Sequence, residues 1–249
     1  PARGAGASSG IGEARARAFS SRGDHVSFVA RSVSKLEALA AELGRAQVIS
    51  ADLTVLESID GVVDRAEAGF GPVDVCINNA GIQIVAQTVD VPVDEGERLL
   101  RLNLLAPLRL HARVLPGMIE RGHGAIVDVA SLAGIAPTLG MVHYSASKAG
   151  LAAASEALRA EVAKAGVHVV TVYPGPVKTK MAAAAMDRYD APPAMLPTGT
   201  VEGLAKRVVR AVERKRDRVI YPDFYAAARH LPGATRWVMD RFSPVPPKR

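Results

Sequence analysis

Cysteine is nearly missing: Cys76 is the single one in 249 residues. That excludes an intrachain disulfide and a Cys-rich zinc site and suits a reducing compartment, so a cytoplasmic protein without a metal is expected. No apolar run approaches the ~18 residues that a membrane span needs. The opening stretch 1–13 has no apolar signal core, so neither a span nor export is expected. Internal repeats and low-complexity linkers are also missing. Only 243–249, Ser-Pro-Val-Pro-Pro-Lys-Arg, has nothing to pack, and a disordered tail is expected there. The remaining chain is 49% apolar and 22% charged, enough to fill a core and too apolar for disorder. Its length suits one large α/β domain over 1–242.

Apolar runs rich in β-branched residues alternate with longer helical patterns. Strands are expected at His25–Ala30, Ala46–Ser50, Val73–Asn78, Ala125–Ala130, Val167–Tyr173 and Arg218–Tyr221. Helices are expected near 11–22, 33–43, 55–69, 94–121, 145–165 and 201–215. This alternation predicts an α/β fold: one doubly wound, Rossmann-type parallel sheet with helices on both faces. Segment 181–199, with Pro192, Pro193 and Pro197 and no strand pattern, reads as a short helix plus a mobile flap over a site.

The charge is unevenly placed. The chain carries +6, a sum that could point to nucleic acid or an anionic membrane. Residues 200–249 hold twelve Lys and Arg against five Asp and Glu, a net of +7, which leaves 1–199 at −1. Nucleic acid is therefore not needed to explain it. The surplus begins on the helix at 201–215, where Val201, Leu204, Ala205, Val208 and Val212 form an apolar stripe opposite Lys206, Arg207, Arg210 and Arg214. A solvated basic face is one reading and weak attachment to an anionic membrane surface is the other.

Three groups of residues carry chemistry. Gly6-Ala7-Ser8-Ser9-Gly10-Ile11-Gly12 runs into an Ala-rich helix, and glycines there let the backbone approach a pyrophosphate seated on the helix N-terminus. At the end of the second strand an acidic residue would bind ribose hydroxyls. Ala30 and Arg31 stand there instead, which favours a 2′-phosphate and so NADP(H) over NAD(H), with Lys35 one turn on; a solvent-facing arginine is the alternative. Finally, Tyr144 and Lys148 stack at i and i+4, and a neighbouring ammonium favours the phenolate of a tyrosine whose ordinary pKa is about 10. The strand 125–130 delivers Ser131 at its carboxyl end, where a hydroxyl can polarise a carbonyl. Taken singly, each of these could be a structural residue.

Together they resemble the short-chain dehydrogenase/reductase family, over nearly the whole chain up to about Pro176. The motifs stand in that family's order: Gly6, Gly10 and Gly12; Asp52-Leu53; Asn78-Asn79-Ala80-Gly81; Asn103; Ser131; Tyr144 and Lys148, thirteen and seventeen residues after the serine; Pro174-Gly175. The resemblance implies that Tyr144 exchanges the proton of the carbonyl or alcohol, that Lys148 lowers the tyrosine pKa and holds the nicotinamide ribose, and that Ser131 orients the carbonyl. It implies that Asn103 kinks its helix and holds a water relaying protons to Lys148. It places Gly6, Ser8, Ser9, Gly10, Ile11 and Gly12 at the pyrophosphate, Asp52 and Leu53 beside the adenine, and Asn79, Ala80 and Gly81 along the cofactor groove. Val177 and Thr179, after Pro174 and Gly175, would meet the nicotinamide carboxamide. Arg31 resembles the NADP(H)-preferring members.

The chain departs from the family in its first strand, Pro1-Ala2-Arg3-Gly4-Ala5, expected to be weak or absent, with Ala5 where a threonine is usual. It departs again over 200–242, where 223–242 is helical in pattern and expected to pack on the core, close over the site or form a subunit contact. The activity implied is hydride transfer between NADP(H) and a carbonyl or alcohol. The mostly apolar flap and 132–142 loop favour a steroid-like, retinoid-like or fatty substrate. A catalytically silent NADP(H)-sensing regulator on the same fold is the alternative, and the intact Asn103, Ser131, Tyr144 and Lys148 speak against it. Excess leucines on 94–121 and small residues on 145–165 predict an oligomer, and the resemblance implies a homodimer or homotetramer through these two helices.

Overall fold

The fold was obtained as a computed structural model, which describes residues 2–5, 11–31, 33–189 and 197–243. Seven strands form one all-parallel sheet in the order β3-β2-β1-β4-β5-β6-β7. They are β1 (Ala2–Ala5), β2 (Val26–Ala30), β3 (Ala46–Ser50), β4 (Val75–Asn78), β5 (Gly124–Val129), β6 (Val167–Pro174) and β7 (Arg218–Tyr221). The helices are α1 (Ile11–Ser20), α2 (Ser34–Leu43), α3 (Ser58–Phe70), α4 (Val93–Leu100), α5 (Ala106–Arg121), α6 (Val142–Val162), α7 (Lys180–Met186), α8 (Val201–Glu213), α9 (Ala226–His230) and α10 (Pro232–Phe242).

The β-branched runs become strands because both sheet faces are covered, so consecutive side chains bury in opposite directions. Val127, Val129, Val170 and Val172 pack on one side with Ala16 and Phe19 of α1 and Leu204 and Val208 of α8. Ile126, Val167 and Val169 pack on the other with Ile59, Val62 and Val63 of α3 and Leu110, Val114 and Met118 of α5. The chain order reverses direction between β1 and β4, the switch point outside whose carboxyl strand ends ligands bind in open parallel sheets.

Three expectations change. First, β1 is present: Ala2–Ala5 pairs in parallel with β2 on one side and β4 on the other. A strand bonded on both edges is held by its ladders and needs no β-branched side chains of its own. Second, the apolar stripe of α8 is spent on the core, since Leu204, Ala205 and Val208 are buried. It is not available to insert into a membrane. Third, 223–242 meets the core through Tyr225, which packs against the cluster of Ala130, Leu132, Ala152 and Tyr173, but none of its residues is buried and Phe224, Leu231, Trp237 and Phe242 are all more than half exposed. It also borders the site: Arg236 donates to the Pro137 carbonyl at 3.3 Å, and Tyr225 rests against Gly175. The 181–199 segment starts with α7, and 190–196 lie outside the described residues, as do 244–249 of the tail.

Candidate active site

The site is built where β4, β5 and β6 end. Ser131 follows β5 in extended conformation, and its hydroxyl accepts from the Ala133 amide at 3.1 Å to cap a short 3-10 turn, Leu132–Gly134. That turn lies directly on α6. A Cβ on Gly134 would come within 2.8 Å of the Lys148 carbonyl carbon and 2.9 Å of the Ala149 nitrogen, so only glycine permits the approach. The approach brings the Ser131 hydroxyl into a hydrogen bond with the Tyr144 phenol.

Lys148, one turn beyond Tyr144, is buried and donates to the Val129 carbonyl at 2.7 Å. Its Nζ stands 6.0 Å from the centre of the Tyr144 ring. Burial lowers its pKa to about 8, Asp128 works to raise it and Arg15 to lower it further. The Tyr144 phenol is pushed up, not down. Its removal from water outweighs the Ser131 hydrogen bond, and Lys148 is not among the groups that shift it. The expected lowering of the tyrosine by Lys148 is thus not a property of these side chains by themselves.

Asn103 sits in a π-helical turn, Arg101–Leu105, between α4 and α5. Its amide is tied at both ends: Oδ1 accepts from the Ile82 N–H and Nδ2 donates to the Ile82 carbonyl, each at 2.9 Å. Nδ2 also reaches Ser147 Oγ at 3.2 Å. These bonds fix the loop after β4. Gly81 lies so close that a Cβ there would stand 3.2 Å from Asn103 Oδ1 and 3.6 Å from Lys148 Nζ.

Three polar residues beneath the site, Arg15, His111 and Asp128, were not singled out from the sequence, and Asn78 entered only as the head of the Asn78-Asn79-Ala80-Gly81 motif, with no role of its own. Asn78 Nδ2 donates to Asp128 Oδ1 at 2.8 Å, and His111 Nε2 stands 2.9 Å from the same oxygen. A carboxylate only accepts, so the His111 proton belongs on Nε2, and the 3.1 Å separation of the two nitrogens is a contact between donors. Arg15 of α1 is buried and hydrogen-bonds to Asn79 Oδ1, while burial pushes its guanidinium down from the ordinary value. The signals were readable: Asp128 interrupts an apolar strand, and Arg15 shares the core-facing side of α1 with Phe19.

The remaining expected residues lie at or after the carboxyl ends of the strands. Gly12 is buried at the start of α1; Gly6, Ser8, Ser9 and Gly10 lie outside the described residues, and Ile11 is described by its backbone alone. Asn79, Ala80 and Gly81 follow β4, half-buried. Leu53 is buried, and Asp52 Oδ1 accepts from the Thr54 N–H at 2.9 Å and its hydroxyl at 2.8 Å. Burial works to raise the Asp52 carboxyl, but Thr54, with Arg31 and Arg98 nearby, leaves it below the usual carboxylate range. Arg31 itself is exposed at the end of β2; the Lys35 side chain lies outside the described residues. Pro174 ends β6, and the Gly175 amide donates to Tyr221 at 2.8 Å. Val177 is buried and bridges Gly199 in parallel, through the Pro176 carbonyl and the Lys178 amide. Its own N–H and C=O therefore point away from Gly199. Thr179 caps α7, accepting from Ala182 at 3.1 Å.

These positions fit a dinucleotide. The switch point is flanked by an exposed cation, Arg31, at the end of β2 and by the small residues Ala80 and Gly81 after β4. Among the described residues no cluster of His, Cys, Asp and Glu could hold a metal, and no helix is long and apolar enough to cross a membrane.

Comparison with known proteins gives the same picture. Residues 5–190 match the short chain dehydrogenase family. The ketoacyl reductase HetN of Nostoc is 36% identical over 86% of this chain and 76% of its own, and an uncharacterized oxidoreductase of Staphylococcus epidermidis is 34% identical over 71% and 77%. Among solved structures, a short-chain dehydrogenase from Sphingobium yanoikuyae in complex with NADPH superposes with a TM-score of 0.83 at 32% identity, covering 96% of this chain and 95% of that one. A bulky-bulky ketone specific alcohol dehydrogenase from Comamonas testosteroni gives 0.80 at 30% identity, covering 96% and 94%.

Proposed function

Since the chain belongs to the short-chain dehydrogenase family, a family of oxidoreductases that use nicotinamide cofactors, we propose that it interconverts a lipophilic ketone or aldehyde and its alcohol with NADP(H). The observation that carries this reading is the meeting of Ser131, Tyr144, Lys148 and Asn103 at the carboxyl ends of β4 and β5. The nicotinamide supplies the hydride in reduction and takes it up in oxidation.

The chain's own residues do the rest. The Ser131 hydroxyl donates to the carbonyl oxygen as negative charge builds there. Tyr144 delivers its proton to that oxygen, and a phenol held protonated by burial is suited to act as the acid. Lys148, fixed by the Val129 carbonyl, places an ammonium beside the phenolate that remains and would hold the nicotinamide ribose hydroxyls. Asn103 holds the Ile82 loop as one wall and, by the same reading, the water that returns a proton toward Lys148. The glycine-rich turn 6–12 would take the pyrophosphate, Asp52 and Leu53 would flank the adenine, Asn79 to Gly81 would line the groove, and Val177 and Thr179 would meet the carboxamide.

Arg31 favours the 2′-phosphate, and the NADPH in the Sphingobium relative supports that choice. The substrate side is apolar: Leu139, Val142, Met181 and Met186 are exposed around it, and the bulky-ketone specificity stated for the Comamonas relative agrees. Consumption of NADPH and NADH across a panel of bulky and small carbonyl compounds tests the reading. Turnover of bulky apolar ketones with a preference for NADPH is expected. In Arg31→Asp the ratio of kcat/KM for the two cofactors should fall at least about tenfold, the loss of one charge-assisted phosphate contact; an unchanged ratio would remove Arg31 from cofactor choice.

A further inference from the structure

At the opposite end of the sheet from Arg31, the edge strand β7 runs along a cavity of about 600 Å³ with no place in the chemistry above. Its walls come from α8, β7 and α9, and the lining holds six arginines, Arg207, Arg210, Arg214, Arg216, Arg218 and Arg229, against one acid, Asp223. The six are not equivalent. Arg207 holds Asp223 through both guanidinium nitrogens at 2.6 and 2.5 Å, while Arg218 and Arg229 share Glu156 behind the wall. Their pairing fixes the shape of the cavity.

Arg210, Arg214 and Arg216 are exposed and make no ion pair among the described residues. The acids nearest them in sequence are engaged elsewhere, Glu213 with Arg22 and Asp217 with Arg159. Two acids against six guanidiniums leave four positive charges around one concavity. Holding like charges together costs free energy unless something neutralises them.

We propose that this cavity is a second binding site, separate from the cofactor crevice, for a ligand that carries two phosphate groups. Guanidinium forks match phosphate oxygens bidentately, and a phosphate monoester brings about −1.5 to −2, so two of them offset the four free charges. The volume lies within the roughly 300–1,000 Å³ of small-molecule pockets. The concave arrangement suits a compact anion better than a nucleic-acid backbone, which would take a stripe. A second copy of this chain would set arginines against arginines.

The test uses the chain saturated with NADP(H), so that the cofactor crevice cannot take the probe. Calorimetric titration with inorganic pyrophosphate is expected to show one saturable event. In the triple variant R210A/R214A/R216A it should weaken at least about tenfold, while NADPH-dependent turnover stays unchanged. Vesicles of phosphatidylcholine with a few per cent phosphatidylinositol bisphosphate separate the sources. Retention that free pyrophosphate competes away assigns a lipid headgroup, and pyrophosphate binding without retention assigns a soluble ligand; both support the site. No saturable binding of pyrophosphate, equal affinity in the triple variant, or binding of duplex DNA alone would overturn it.

Discussion

Lys148 is an ammonium held away from water, and its titration has a consequence for stability. Its pKa of about 8 in the folded chain lies below the ordinary 10.5. Between those values the unfolded chain binds the proton that the folded one has lost, so stability rises with pH across that window and the charge is a burden below it. At roughly 1.4 kcal/mol per unit the burden is about 3 kcal/mol, and losing the bond to Val129 would offset about 1 kcal/mol of the relief. Lys148→Met is therefore expected to be about 2 kcal/mol more stable than the wild type at pH 7 and to lose that advantage toward pH 10. Urea unfolding at both pH values checks it, and an identical difference at the two would show that the ammonium is not what costs stability. Tyr144, Lys148 and Ser131 were legible because an i, i+4 pair and a strand end suggest proton transfer, and Asn103 only through the family resemblance. Asp128 breaks an apolar strand and Arg15 shares the core-facing side of α1 with Phe19, so both leave a trace in the pattern, but what they and His111 do is set by the partners they meet, which lie far away in sequence.

Among the elements, the contact between the 132–134 turn and α6 sets the distance from Ser131 to Tyr144. In Gly134→Ala the new methyl meets backbone, which cannot swing aside as a side chain could. The turn must lift from α6 and carry Ser131 with it. A loss of kcat of at least about a hundredfold is expected from the misplaced hydroxyl, with the far-ultraviolet circular dichroism of the wild type; full activity would mean that the turn has room to spare. Strand and helix order was readable because runs of valine and isoleucine alternate with helical patterns, and β3 and β7 occupy the segments expected from them. What periodicity could not show is where one element changes its hydrogen bonding. The 94–121 helix reads as continuous, yet its ladder slips to π geometry at Arg101–Leu105, where Asn103 needs to face Ile82. In the same way Ala2–Ala5 lacks strand-forming residues, and only its two neighbours make it a strand.

For the whole molecule, the near-neutral body and the basic C-terminal fifth have separate roles. The dehydrogenase site belongs to the body, and the surplus gathers beside β7, a division that the bare sum of +6 concealed. The π turn and the outer faces of α5 and α6 still expose Leu105, Leu108, Ala153 and Ala157, and we propose a homo-oligomer through them. Light scattering is expected to give at least twice the chain mass of 26.1 kDa, and Leu108→Glu to lower it; a wild-type monomer at micromolar concentration would contradict the proposal. How the 223–242 segment lies was not legible, because its scattered aromatics suit a core, a lid or an interface equally, and only the contacts of Arg236 and Tyr225 place it beside the site. The central claim is that Tyr144 moves the proton while a nicotinamide moves the hydride. Its most direct test is single-turnover oxidation of bound NADPH by a bulky ketone in the wild type and in Tyr144→Phe. The account predicts that the variant binds NADPH as tightly as the wild type and is slower by at least about a thousandfold, within the range of general acid catalysis; hydride transfer at the wild-type rate in Tyr144→Phe would contradict it.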